Sequence, residues 1–500
     1  MRTLFLNPPS FQGFDGGAGS RYQARREIRS FWYPTWLAQP AAMIPDSKLV
    51  DAPADGTTLE DVVAMAKDFD LCVIHTSTPS FLNDVKVAER LKESCPRLKV
   101  GFVGAHVAVL PEESLQASKA LDFVGREEFD YSLKEIAEGR PYGEVDGISY
   151  RHGGSVVHNR DRSLIGDMDA LPHVVDVYKR DLTIENYYIG YLQHPYVSLY
   201  TGRGCPARCT FCLWPQTVGG HVYRTRSPKS VLEEMAKAKA YFPQAKEFFF
   251  DDDTFTADLP RAAQIARGLG ALGVTWSCNS RANVPYEYLK IFKENGLRLL
   301  LVGYESGNQK VLNNIKKGVR LDIAREFTRN CRRLGIIVHG TFILGLPGET
   351  RETIEETTRY ACDLDVETMQ VSLAAAYPGT ELYRQAIQNG WLNKDQLVLQ
   401  DGTQAASIEY PGVLSAQEIN DAVARMYSKF YFRPRPIGRM LVNMAKDPAE
   451  RRRRLREGAE FLRYLWGRKG ADASCPRVRA KEKAAASGSV GTDPGCGAAA

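Results

Sequence analysis

Long apolar runs are missing from this 500-residue chain. No stretch approaches the roughly 18 to 20 apolar residues that span a bilayer. The opening MRTLFLNPPSF also lacks the basic start, apolar centre and small-residue cleavage site of a secretory signal, so a cytoplasmic location is expected. Cysteine is scarce, at 10 residues, and its irregular spacing excludes a disulfide framework. A broad basic surface is missing too. From Arg451 onward there are 12 Lys and Arg against 5 Asp and Glu, more than the whole net charge of +5. The first 450 residues are therefore slightly acidic, and no nucleic-acid partner is expected.

What remains is ordinary globular composition, 44% hydrophobic and 25% charged, with length enough for two or three folded units. Short apolar runs alternate with helical spacing. Residues 2–7, 71–76, 100–105 and 121–127 read as buried strands, with helical segments over 57–68, 83–94 and 111–120 between them. This alternation predicts an α/β fold that opens on a doubly wound parallel sheet over 1–142. Short polar pieces with Gly, Pro and His follow as a connector over 143–195. Further strands are expected at 197–201, 247–250, 274–279, 297–303, 336–345 and 368–374. They form a partial (β/α)6 barrel over 196–390, whose chemistry should gather at the carboxyl ends of the strands. Residues 391–470 read as a helical C-terminal region, and 471–500 as a disordered tail.

The stretch TGRGCPARCTFCLWP places Cys205, Cys209 and Cys212 in one loop directly after the first barrel strand. A structural zinc ion takes four protein ligands, which would require His221 or Cys278 as the fourth. A cubane cluster held by three thiolates instead leaves one iron open to another ligand. The spacing C-x3-C-x2-C, with Phe211 before the last cysteine and a βα series after it, resembles the radical S-adenosylmethionine (SAM) superfamily. That resemblance implies a 4Fe-4S cluster on the three cysteines, with SAM chelated by the open iron. It also implies reductive cleavage of SAM to a 5′-deoxyadenosyl radical and an electron donor of flavodoxin or ferredoxin type.

Such a site needs acceptors for the SAM ammonium, a cation for its carboxylate, polar partners for the ribose and close backbone approach at the adenine. The resemblance assigns these to strand ends: Asp252 and Asp253 in FFFDDDTF, with Asp251 beside them, then Glu305 and Ser306 in VGYESGNQ, and Gly340 and Gly345 in HGTFILGLPGET. Arg224 is the expected carboxylate partner through its guanidinium fork, and Arg226 shares that position. Each has a plainer reading. The acidic run also suits a helix-capping turn, GLPGET a turn with a helix start, and the arginines a solvated surface. No catalytic residue beyond these binders is assigned.

LFLNPPSF, FVGAHVAVLPEE and FVGREEFDYSLKEI resemble the cobalamin-binding-like domain that precedes the radical core in one branch of the superfamily. No D-x-H-x-x-G occurs, so that motif supplies no cobalt ligand. His75 and His106 read as interior histidines, and cobalamin is left open. Residues 13–46 and FYFRPRPIGRM (430–440) resemble the radical SAM proteins of hopanoid biosynthesis, among them the enzyme that forms the cyclitol ether head group. This implies a hopanoid glycolipid substrate whose amino-sugar ring contracts. Hydrogen is taken from C5, the C1–O5 bond breaks, and the C1 radical closes onto C5. An electron and a proton then quench the alkoxyl radical. Substrate and product are isomers.

The C-terminal stretch from Arg435 to Gly470 combines a basic face with Met, Leu, Phe, Tyr and Trp, which suits either an interfacial helix on anionic lipid or a helix whose arginine run faces water. Three other functions share parts of these motifs. A cobalamin-dependent radical SAM methyltransferase acting on a lipid or small molecule shares every core motif. A tRNA methylthiotransferase would bring further N-terminal cluster cysteines, whereas only Cys72 and Cys95 lie upstream here. A zinc-binding interaction protein would use the cysteines structurally.

Overall fold

A computed structural model describes residues 1–9, 30–392 and 407–446, together with 451, 455–456 and 458–460. The chain up to Gly438 is one compact unit that contains two sheets. From Arg439 onward lies a second unit, helical where it is described.

The first sheet follows from short, mostly buried runs, with β1, β3 and β5 buried throughout. Strands β1 (Thr3–Asn7), β2 (Ser47–Asp51), β3 (Leu71–His75), β4 (Lys99–Val103) and β5 (Phe123–Gly125) pair in parallel, in the order β2-β1-β3-β4-β5. Parallel neighbours need crossovers, here the helices Leu59–Ala66, Phe81–Ser94 and Pro111–Ala117. Leu4, Leu6, Ile74, Val87, Leu91 and Phe102 form the centre of its core, all fully buried. The order reverses between β1 and β3, and ligands of such sheets bind beyond the carboxyl ends at that crevice.

Two departures from expectation occur here. β2, short and half polar at its start, has no apolar run to mark it. The expected connector begins with a hairpin, β6 (Ile148–His152) and β7 (Ser155–His158), which extends the first sheet in antiparallel fashion. Gly153 and Gly154, at φ of 56° and 88°, form its two-residue turn, a conformation that favours glycine.

The second sheet has six parallel strands in the order β15-β14-β13-β12-β11-β8: β8 (Tyr196–Leu199), β11 (Glu247–Phe250), β12 (Trp276–Ser280), β13 (Leu297–Glu305), β14 (Ile337–Leu344) and β15 (Thr368–Leu373). Helices Pro228–Tyr241, Leu259–Leu272, Tyr286–Glu294, Leu321–Leu334 and Arg351–Leu364 connect them. This is the expected partial (β/α)6 arrangement. A two-residue ribbon, β9 (Gly202–Arg203) with β10 (Arg224–Thr225), was not expected, because four residues carry no periodicity.

Helices Ala416–Tyr431 and Pro434–Lys446 follow the barrel. The tail over 471–500 and half of the basic C-terminal stretch lie outside the described residues. Among the described residues no helix is long and apolar enough to cross a membrane.

Candidate functional site

The cysteine loop leaves the carboxyl end of β8 through the ribbon and returns through it, so both of its ends are anchored. Gly204 opens it at φ 85°. A Cβ there would stand 2.3 Å from the carbonyl oxygen of Val222 and 2.7 Å from that of Gly219, so only glycine fits. Gln216 staples the loop: its Nε2 donates to the carbonyls of Cys209, Thr210 and Cys212, at 3.2, 3.2 and 2.7 Å, and its Oε1 accepts from the Glu381 N–H at 2.8 Å. Thr210 N–H donates to the Ile315 carbonyl at 3.0 Å, which ties the loop to the barrel.

Cys205 and Cys209 are buried, and Cys212 and Phe211 are partly so. Burial first, then Asp253 and the sibling thiols, hold the Cys212 thiol well above its ordinary range; burial and the same neighbours raise Cys205. More positive charge than the surroundings provide is therefore what this donor set needs in order to carry thiolates. Among the described residues, no three His, Cys, Asp or Glu form a set able to hold a single metal ion. His221, the notional fourth zinc ligand, directs Nδ1 to the Ala207 carbonyl at 3.0 Å, and Cys278 is buried within β12. A cubane distributes its thiolates over different irons, so the set fits a cluster better than one ion.

The three aspartates after β11 have separate tasks. Asp252 is fully buried and accepts from Thr201 N and from Tyr223 Oη, both at 2.6 Å, and from Thr201 Oγ1. Burial raises its carboxyl despite these donors. Asp251 accepts from Tyr200 Oη at 3.3 Å and Asn279 Nδ2 at 3.1 Å. Both brace the strand ends. Of the three, Asp253 is the one whose charge raises the Cys205 and Cys212 thiols, and its Oδ2 lies near Gly219.

As the last residue of β13, Glu305 sits at φ 64° after a register shift, and its Oε1 accepts from Lys317 Nζ at 2.6 Å. Both side chains are buried. Burial opposes the charge of Lys317, yet Glu305 and Cys209 hold its ammonium above the usual range. Gly303 makes room for the pair: a Cβ there would meet Glu305 Oε1 at 2.3 Å. Arg281, also near Cys205, donates to the Lys317 carbonyl. Lys317, Arg281, Asn279, Gln216 and Gly303 carry no motif and escaped the sequence reading.

Other expected residues stand in different places. Arg224 donates to both oxygens of Glu128, at 2.6 and 2.9 Å, and to the carbonyls of Ile165 and Gly219, so its fork is engaged by the first sheet. Arg226 pairs with Glu234. Ser306 is fully buried in a turn with Thr357. Gly340 packs on the rings of Tyr304 and the methyls of Val366. Gly345, at φ 85°, ends β14 with its N–H donating to Glu349 and its carbonyl accepting from Tyr410. His106 shares a hydrogen bond with Thr78 at 3.1 Å, and burial lowers its ring to about 4. His75 is buried with its ring 6.2 Å from that of Trp214.

The cysteine loop meets the first sheet. Trp214 stacks on Trp36 with centroids 5.0 Å apart and planes 3° from parallel, amid Ala105, Leu213, Val218 and Tyr377.

Residues 199–361 match the model of the Radical SAM superfamily. An uncharacterized methyltransferase of Pyrococcus horikoshii is 30% identical over 461 residues, covering 87% of this chain and 94% of that one. Cytidylyl-2-hydroxyethylphosphonate methyltransferase of Streptomyces wedmorensis is 26% identical, covering 75% and 78%. Hopanoid C-3 methylase of Methylococcus capsulatus matches over 201 residues at 27%, covering 39% and 37%. Among solved structures, the radical SAM methyltransferase TsrM from Kitasatospora setae, with cobalamin and a [4Fe-4S] cluster bound, shares the fold at TM-score 0.63 and 14% identity, covering 95% of this chain and all of that one. The radical enzyme OxsB, with aqua-cobalamin and SAM bound, does so at 0.65 and 15%, covering 91% and 71%.

Proposed function

The chain belongs to the radical SAM superfamily, whose members use a 4Fe-4S cluster and SAM, and on that premise we propose that Cys205, Cys209 and Cys212 hold the cluster at the end of β8. One observation carries this: three buried or half-buried thiols in one stapled loop, with a buried ammonium near them. When bound, the cluster supplies the electron that splits SAM into methionine and a 5′-deoxyadenosyl radical.

The chain's own residues hold and orient. Lys317, kept charged by Glu305, and Arg281 beside it are the cations for the methionine carboxylate, in place of the engaged Arg224. Asp253 is the acceptor for the ammonium, while Asp251 and Asp252 keep the strand ends in register. The turn at Gly345, held by Glu349 and Tyr410, supports the adenine edge.

The radical is proposed to take hydrogen from a carbon of a hopanoid glycolipid, with reductant from a flavodoxin-type or ferredoxin-type donor. Two fates of that carbon follow. Methyl transfer draws the broader support, since methyltransferases predominate among the relatives named above. Its carrier would be cobalamin beyond the carboxyl ends of β1, β3 and β4, where His106 is turned to Thr78. Ring contraction to a cyclitol ether rests on the stretches over 13–46 and 430–440, of which 13–29 lie outside the described residues. Anaerobic incubation with SAM, reductant and a glycosylated hopanoid polyol separates the two. A product one methylene heavier shows methyl transfer, and an isomer of unchanged mass shows contraction. Absence of 5′-deoxyadenosine overturns the whole reading.

Contact with a membrane surface would bring such a substrate. Helix Pro434–Lys446 has no acidic residue, carries Arg435, Arg439 and Lys446, and leaves Ile437, Met440, Leu441 and Val442 between 37% and 57% exposed. An anionic bilayer matches both features. Vesicles of anionic lipid should co-sediment with the chain and neutral ones should not; equal binding, or none, rejects the contact.

A further inference from the structure

The ribbon that carries the cysteine loop is too short to hold itself. It has two residues per strand, and isolated two-stranded ribbons are marginal even when longer. Its register also sets Arg203 directly opposite Arg224, and like charges facing across an antiparallel pair repel. Something outside the ribbon must therefore fix it.

That support comes from the segment after β5. Asp130 accepts both arms of Arg203, at 2.7 and 3.0 Å, and Glu128 accepts both arms of Arg224. Glu128 also reaches Arg203 at 3.5 Å and accepts the Ile165 N–H at 2.7 Å, which makes it the centre of the network. Two positive and two negative side chains cancel, all of them at most 10% exposed. Trp36 covers the open face of Arg203, its ring centroid 4.6 Å from the guanidinium carbon. Buried ion networks of this kind seldom stabilise a fold more than apolar packing would, so their use here is geometric.

We infer that Glu128 and Asp130 are positioning residues for the cluster loop: the first sheet, through Arg203 and Arg224, sets where Cys205, Cys209 and Cys212 stand. Arg203 is two residues before Cys205, and Arg224 also donates to the Gly219 carbonyl on the loop's return. Displacement of Asp130 releases the ribbon where the loop begins, and displacement of Glu128 releases it at both ends. The inference rests on the cluster assignment, and the experiment separates the two.

The full chain is reconstituted anaerobically with iron and sulfide, and iron release to a ferrous chelator is timed for wild type, Glu128→Gln, Asp130→Asn and Arg224→Lys. Arg224→Lys keeps the buried charge, and with it the fold, while removing the two-point grip. Asp161→Asn, an exposed partner of Arg126 outside the network, serves as the charge control. The expected result is release about tenfold faster or more in the three network variants, as for other outer partners of a metal site, with circular dichroism and the control unchanged. Glu128→Asp, which keeps the carboxylate, should recover part of the loss. Wild-type release rates in folded Glu128→Gln or Arg224→Lys overturn the inference. A wild-type chain that takes up no iron instead overturns the cluster assignment.

Discussion

Lys317 donates to Glu305 at 2.6 Å within the ring of strand ends that carries the cysteine loop, and this pair supplies the buried cation that faces the thiols. In the proposed site this ammonium is the partner of the SAM carboxylate. Lys317→Met should weaken SAM binding about tenfold or more, the scale of one hydrogen bond to a charged group. Isothermal titration of the reconstituted chain with SAM checks this, and an unchanged dissociation constant removes Lys317 from the site.

Each cysteine should be indispensable to iron. Cys205→Ala, Cys209→Ala and Cys212→Ala should each lose the visible charge-transfer absorption and most of the bound iron, with the melting curve little changed. Full metal retention in any of them would return the site to the zinc reading.

Gly204 should tolerate no side chain. A Cβ at this position would fall on three backbone carbonyls, which cannot rotate aside. Gly204→Ala should destabilise the fold by about 1–3 kcal/mol, the range of overpacking, and lower cluster occupancy with it. Denaturant unfolding measures the first and iron content the second.

Glu349 should give stability a pH dependence. Burial pushes its carboxyl from the usual 4.5 up to about 8, against the Gly345 and Leu346 N–H groups that donate to it. Between those values the folded chain holds a proton that the unfolded chain has released. Stability contributed by this group is therefore full below about 4.5 and is lost as pH rises toward 8. Glu349→Gln keeps an acceptor and has no proton to lose. Its melting temperature should fall less than that of wild type between pH 5 and 8, as thermal scans across that range would show; parallel curves would reject the effect.

Short-range chemistry was legible in advance. The buried strands announce themselves as apolar runs such as LCVI and FFF, and the crossovers as helical spacing. The cysteines suggest a three-ligand site because they share one loop, and that assignment remains the proposal above. What failed to show were strands without an apolar run, such as β2 and the hairpin Ile148–His158, whose pairing depends on neighbours already in place.

Local sequence by itself determined the parallel α/β architecture and the three thiols, since burial of a run and spacing within a loop need only adjacent residues. Tertiary structure decided which charges serve the site. Arg224 looked available until Glu128, 96 residues away, closed on its fork, and Asp252 looked like a ligand until Thr201 and Tyr223 surrounded it. Lys317 became a candidate for the proposed site only through the fold that buries it beside Glu305 and Cys209. The physical reason is that a charged group's role depends on which partner desolvates with it, and that partner is chosen by the packing of distant segments.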